Sequence, residues 1–155
     1  MSETTPFRHA KADDSPGFLL WKLTALWQQK LAEVLERHGI TQTQYALLAS
    51  LRWFEEQGEP PSQAHLAAHT RIDKMTLSKA LRRLEAQQLV KRRPSREDSR
   101  AMEVAFTARG RKLIPKAVMD IESADAEFFG RLGVKDLAAY QALTAALIAA
   151  NSRVG

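Results

Sequence analysis

Between Ser62 and Phe106 the spacing of apolar residues changes twice, and few folds accommodate both changes. Pro60 and Pro61 break the chain, Ser62 caps a short helix through Leu66, Ala67 and Ala68, and Asp73 opens another helix almost at once. In this second helix Leu77, Ala80, Leu81 and Leu84 recur at i, i+3, i+4 and i+7, which makes them a buried stripe. Lys74, Thr76, Ser78, Lys79, Arg82 and Arg83 are left on the other faces. Two short helices joined by a tight turn, the second basic and hydroxyl-rich near its start, read as a helix-turn-helix. From Leu89 the period becomes two. Leu89 to Arg93 reads as a strand ending at Pro94, and Met102, Val104 and Phe106 alternate with Glu103 and Ala105 in its partner. The polar loop from Ser95 to Ala101 makes the pair a β-hairpin with a charged tip, a wing.

Longer helices flank this unit. Ser15 followed by Pro16 is a helix start, and Leu19, Leu23, Leu26, Trp27, Leu31, Val34 and Leu35 carry a wide apolar stripe to Gly39. Thr41 and Gln44 fit a capping box that opens a helix through Tyr45, Leu47, Leu48, Leu51, Trp53 and Phe54 to about Gly58. After the hairpin, Thr107 caps a long helix to about Gly130, with Pro115 expected as a kink, and a last helix begins near Lys135. The first helix and the last two carry more apolar surface than the small winged unit covers, so a homodimer in which both chain ends intertwine is expected. The fold class expected is therefore mainly α with a small β-hairpin wing. Residues 1–14 form a flexible tail and residues 15–155 one domain. Within it, about 41–107 are the winged helix-turn-helix, and about 15–39 and 108–150 are dimerisation helices.

Charge is segregated along the chain. Residues 71–112 hold 13 Lys+Arg against 5 Asp+Glu, net +8, whereas the rest hold 10 against 13, net −3. A basic block on an otherwise slightly acidic chain is the footprint of a polyanion-binding surface. The absence of cysteine excludes disulfide scaffolds, thiolate zinc sites, iron-sulfur clusters and thiol redox switches. Residues Met1 to Asp14 lack an apolar leader core, and the longest wholly apolar run, Ala145 to Ala150, is too short to span a bilayer. A soluble, cytoplasmic protein with no membrane partner is expected. Neither a glycine-rich nucleotide loop nor a G-x-S-x-G or paired-carboxylate constellation occurs, so the expectation is no enzyme and no cofactor.

The run from Asp73 to Val90, the wing pattern Asp98-x-Arg100-Ala101, and the following Val104, Phe106, Thr107 and Gly110 together resemble the MarR family of bacterial transcription regulators. Element order agrees from about residue 15 to 150. Phe106 stands where the family usually has leucine. Gln88 stands where it usually has glycine, so a non-glycine residue must take or avoid the left-handed cap conformation. Thr70 falls where an apolar turn residue is common, which would loosen the packing of the two short helices.

The resemblance implies a sequence-specific regulator of double-stranded DNA, a repressor acting as a homodimer on a pseudo-palindromic operator and released by a small ligand. It places Lys74, Thr76, Ser78, Lys79 and Arg82 on the helix that enters the major groove. In the family the wing arginine enters the adjacent minor groove and the aspartate two residues earlier orients it, roles that fall here to Arg100 and Asp98. Arg92, Arg93 and Arg96 are expected phosphate contacts. Many relatives bind small aromatic acids between the dimer helices and the winged domain. Trp21, Trp27, Tyr45 and Trp53 lie on the right elements, with core packing as their simpler use.

Two other readings stay open. His65 and His69 at i, i+4, or Glu33, Glu36 and His38, would suit a histidine-based metal-sensing regulator, although no H-E-x-x-H glutamate accompanies the first pair. Alternatively the basic hairpin contacts an acidic protein and no operator is bound.

Overall fold

The computed structural model describes residues 4–152. Six helices and one hairpin follow in the order α1 (Pro16–Glu36), α2 (Gln42–Glu56), α3 (Gln63–Thr70), α4 (Lys74–Ala86), β1 (Val90–Pro94), β2 (Met102–Phe106), α5 (Ala108–Phe129) and α6 (Val134–Ser152). Within the stretch read as a tail, Ala12–Asp14 form a 3-10 turn, and Asp13 pairs with Lys22 of α1 at 3.0 Å.

The local grammar of the helix starts is realised at each predicted cap. The Ser15, Thr41, Ser62, Asp73 and Thr107 side chains each accept a backbone N–H from the third residue onward, and Thr41 and Gln44 complete a capping box. The helix-turn-helix turn is built differently from the expectation for Thr70. Its hydroxyl donates to the Leu66 carbonyl at 2.7 Å and accepts the Ile72 N–H at 3.4 Å, so it closes the end of α3 while Leu66 stays fully buried between the helices. Arg71 takes the left-handed conformation there, with φ 59°. Gln88 does the same at φ 60°, resolving the glycine question: the side chain accepts the cap geometry, and its carbonyl receives the Thr107 hydroxyl at 2.6 Å.

The core is a single apolar cluster. Leu31, Val34 and Leu35 of α1 meet Leu47, Leu48 and Leu51 of α2, and Leu66, Leu77, Leu81 and Leu84 join them from the helix-turn-helix. Val104 and Phe106 close it from β2, and Ile114, Ala117, Ile121 and Ala124 from α5. Helix α5 runs unbroken through the exposed Pro115. Gly110 lies so close under Leu89 that an added Cβ would overlap the Leu89 carbonyl, which explains the glycine three residues after the Thr107 cap.

The wing is the two-stranded hairpin read from the sequence, with one added tie to the rest of the chain. The two strands pair antiparallel from Val90 opposite Phe106 to Pro94 opposite Met102. On the outer edge of β2, Ser62 bridges Glu103, and the Val104 N–H donates to the Pro61 carbonyl at 3.0 Å. This isolated bridge ties the wing to the start of α3.

Helix α6 buries no residue. Tyr140 stacks on Phe129 with 5.5 Å between ring centroids, and Ser152 accepts a hydrogen bond from the Arg71 guanidinium at 2.8 Å. Leu143, Leu147 and Ile148 face outward, as do Leu19, Leu20 and Trp21 at the start of α1. The surplus of apolar surface expected for the terminal helices is present.

Candidate nucleic-acid interface

Helix α4 is two-faced. Its Leu77, Ala80, Leu81 and Leu84 are buried, which forces Met75, Lys79 and Arg82, at i, i+4 and i+7, onto the opposite face. Lys74, Lys79, Arg82 and Arg83 are exposed and have no ion-pair partner among the described residues. Ser78 is half-buried, in a groove of about 400 Å³ that separates the start of α4 from the wing residues Arg100 and Met102.

Thr76 has a local task. Its hydroxyl donates to Asp73 Oδ2 at 2.6 Å and its backbone N–H to Oδ1 at 2.9 Å. These bonds, the hydroxyl's first, hold the Asp73 carboxyl below its ordinary range. With its proton committed to the cap, the Thr76 hydroxyl is left as an acceptor.

The wing divides its arginines. Arg92 Nε donates to Glu85 Oε1 at 2.6 Å and another guanidinium nitrogen to Gln63 Oε1 at 3.0 Å, so this side chain lies across α3 and α4. Arg93 pairs with the buried carboxylate of Glu103 at 3.2 Å, its register partner in β2. Arg96 and Arg100 are exposed at the tip, with no side-chain partner among the described residues. Asp98 does not grip the Arg100 guanidinium: its Oδ1 accepts the Arg100 backbone N–H at 3.0 Å, and its carbonyl accepts the Ala101 N–H at 3.0 Å. The carboxylate shapes the loop from which Arg100 projects.

The histidines are engaged elsewhere. His65 Nδ1 accepts the Ser62 N–H at 3.4 Å and its ring stacks on Phe54, whereas His69 stacks on Trp53 at 5.1 Å. His38 turns to Asp120, 2.7 Å away on α5, leaving Glu33 and Glu36 exposed on α1. Among the described residues no three His, Asp or Glu side chains are gathered as a metal-binding group.

The aromatic residues considered for a ligand do not converge on one cleft. Trp21 is exposed, Trp53 belongs to the histidine stack, and Trp27 donates from Nε1 to Asp125 at 2.8 Å. Burial, then the charges of Glu122 and Asp125, push the Tyr45 phenol up to about 12. A separate cleft of about 550 Å³ opens between α1 and α5, walled by Leu23, Leu26 and Phe128 and carrying Lys30 and Arg131 together with Glu33 and Glu127.

Sequence reasoning overlooked Met75, although its place one turn before Lys79 was visible in the helical spacing. It also overlooked Glu85, Gln63 and Glu103 as partners of the wing arginines. Counting the hairpin register outward from the loop would have found Glu103 opposite Arg93.

Among the described residues no helix is long and apolar enough to cross a membrane. A family model described as MarR family matches residues 38–101, from the end of α1 to the wing tip. The uncharacterized HTH-type transcriptional regulator YdcH of Bacillus subtilis is 32% identical over 115 residues, covering 74% of this chain and 78% of that protein. The HTH-type transcriptional repressor Rv2887 of Mycobacterium tuberculosis is 32% identical over 122 residues, covering 78% and 85%. A crystal structure of Rv2887 in complex with p-aminosalicylic acid is similar with a TM-score of 0.65 and 26% identity, covering 86% of this chain and 98% of that one. The MepR–DNA complex of S. aureus shares the fold with a TM-score of 0.80 at 21% identity, covering 88% and 98%. The helix-turn-helix, the wing and the flanking helices thus agree with these relatives over most of their length, and the chain belongs to the MarR family of HTH-type transcriptional regulators.

Proposed function

We propose that this chain is a cytoplasmic, homodimeric transcription repressor, without enzymatic activity, that binds a pseudo-palindromic operator in double-stranded DNA. The observation that carries the reading is the set of exposed, unpaired cations on the outer face of α4, opposite its buried stripe, with Arg96 and Arg100 beside them on the wing. An α-helix with such a face fits the major groove of B-DNA. Lys74, Lys79 and Arg82 contact base edges or phosphates there, and Ser78 and Thr76 lie beside them at the groove wall. Arg100 enters the flanking minor groove from a loop that Asp98 shapes, and Arg96 contacts phosphate. Arg92 and Arg93 act mainly by holding the wing against α3, α4 and β2, with phosphate contact secondary.

The outward leucines of α6 and the bare start of α1 cover one another across the dimer. A small aromatic acid is the effector class, and the cleft between α1 and α5 offers it apolar walls and Arg131, unpaired among the described residues, beside Lys30, which is paired with Glu127 at 3.6 Å. The complex of the relative Rv2887 with p-aminosalicylic acid supports the choice.

Selection of bound duplexes from a random pool, followed by affinity measurements across salt, tests the reading. A recurring pseudo-palindrome and a steep fall of affinity with salt are expected. Weak, salt-indifferent binding to every duplex would favour a protein-interaction module instead.

A further inference from the structure

Met75 is 84% exposed in the first turn of α4. Single apolar residues on a protein surface are common, but this one stands on the ridge that continues with Lys79 and Arg82, at the end of the helix that leads into the groove. The adjacent Thr76 has committed its hydroxyl proton to Asp73. Besides positive charge, the tip of the helix therefore presents one apolar, unbranched and polarizable side chain.

Along the major groove the base edges are hydrogen-bonding groups, with one apolar exception, the C5-methyl of thymine. We propose that Met75 is a specificity-determining residue that packs on a thymine methyl, while Lys79 and Arg82 hold the ridge over the groove. A thioether with three rotatable bonds adapts to that methyl without demanding one exact approach. This assignment rests on the DNA-binding reading above.

The test uses the operator recovered by the intact chain from the random pool. Each thymine is replaced singly by deoxyuridine, which removes the methyl and nothing else, and affinity is measured for the wild type, Met75→Ala and Met75→Leu. At one thymine per half-site the wild type should weaken about fourfold, the worth of one buried methyl group. Met75→Ala should be indifferent to that replacement, and Met75→Leu should keep the response. All three should bind random duplex alike and melt at the same temperature. If the wild type and Met75→Ala respond identically to every uracil, the methionine assignment is overturned and the DNA-binding reading stands. If the pool yields no preferred duplex, both fall.

Discussion

Gln44 Nε2 donates to Gln87 Oε1 at 2.8 Å, and Gln87 Nε2 in turn donates to the Gly39 carbonyl at 3.2 Å. With Gln44 Oε1 accepting the Thr41 N–H at 3.0 Å, two carboxamides join the α1–α2 connection to the end of α4. Gln44 is buried, so its polar atoms have no water to fall back on. Gln44→Leu should lower stability by about 1 to 3 kcal/mol, read as the urea midpoint. Gln87→Ala, at a half-exposed position, should lower it less.

Gln88 adopts φ 60° without being glycine. Left-handed backbone penalises a side chain by about 1 to 2 kcal/mol, and glycine returns part of that as extra freedom in the unfolded chain. Gln88→Gly should therefore stabilise the protein modestly, by up to about 1 kcal/mol. The same measurement on Gly110→Ala should show a large loss, because its methyl collides with the Leu89 carbonyl. A neutral Gly110→Ala would mean that β1 and α5 separate easily.

The wing arginines should separate by experiment. Arg100→Ala should weaken operator binding strongly and reduce the salt slope by about one charge, with some loss of preference for A·T-rich flanks. Asp98→Ala should reproduce part of this by relaxing the loop. Arg92→Ala removes the partner of Glu85 and Gln63, so its main effect should be a lower melting temperature, with a smaller change in salt slope. Arg82→Ala should cost about 1 to 3 kcal/mol on the operator and much less on unrelated duplex. Equal binding by Arg100→Ala and the wild type would make the wing tip a mere charged hairpin.

Burial, then the nearby Glu122 and Asp125, disfavour the Tyr45 anion and push its phenol from the ordinary 10.0 up to about 12. The unfolded chain then releases this proton first as pH rises. Its contribution to stability is intact below pH 10 and is lost progressively as pH climbs from 10 through about 12. Tyr45→Phe has no such proton to lose. Thermal melts of the two proteins should run parallel near pH 8 and diverge above pH 10, with the wild type falling faster. Parallel curves throughout would place the phenol in water.

Sedimentation of the intact chain should give a mass near twice 17.4 kDa. Replacing Leu143 and Leu147 of α6 by glutamine should yield monomers with weaker operator binding, since one recognition helix and one wing supply half the contacts. An unchanged mass would move the dimer contact elsewhere.

Much of this architecture is written in short-range terms. Caps at Ser15, Thr41, Ser62, Asp73 and Thr107 depend on residues three positions apart, and the stripe of α4 on four leucine and alanine positions, so both can be read without knowing the fold. The bridge from Ser62 to Glu103 could not be read, because a single bridging residue shows no alternation. Nor could the fate of Arg92. Its partners Glu85 and Gln63 lie seven and 29 residues away, on two helices whose approach to β1 is settled by packing in three dimensions. Nor could the atoms through which Asp98 meets Arg100 be read, since spacing does not distinguish a backbone N–H from a guanidinium.

Ser62 both caps α3 and bridges Glu103 on β2. The wing and the helix pair that the proposed function carries into the duplex are therefore joined at one seam. That seam resists a swing of either part alone and, under the proposed function, sets the distance between their two points of reach before any DNA arrives. Under that function an operator would have to conform to the built-in gauge, and base pairs that no side chain touches would be selected by how readily they let the duplex match it.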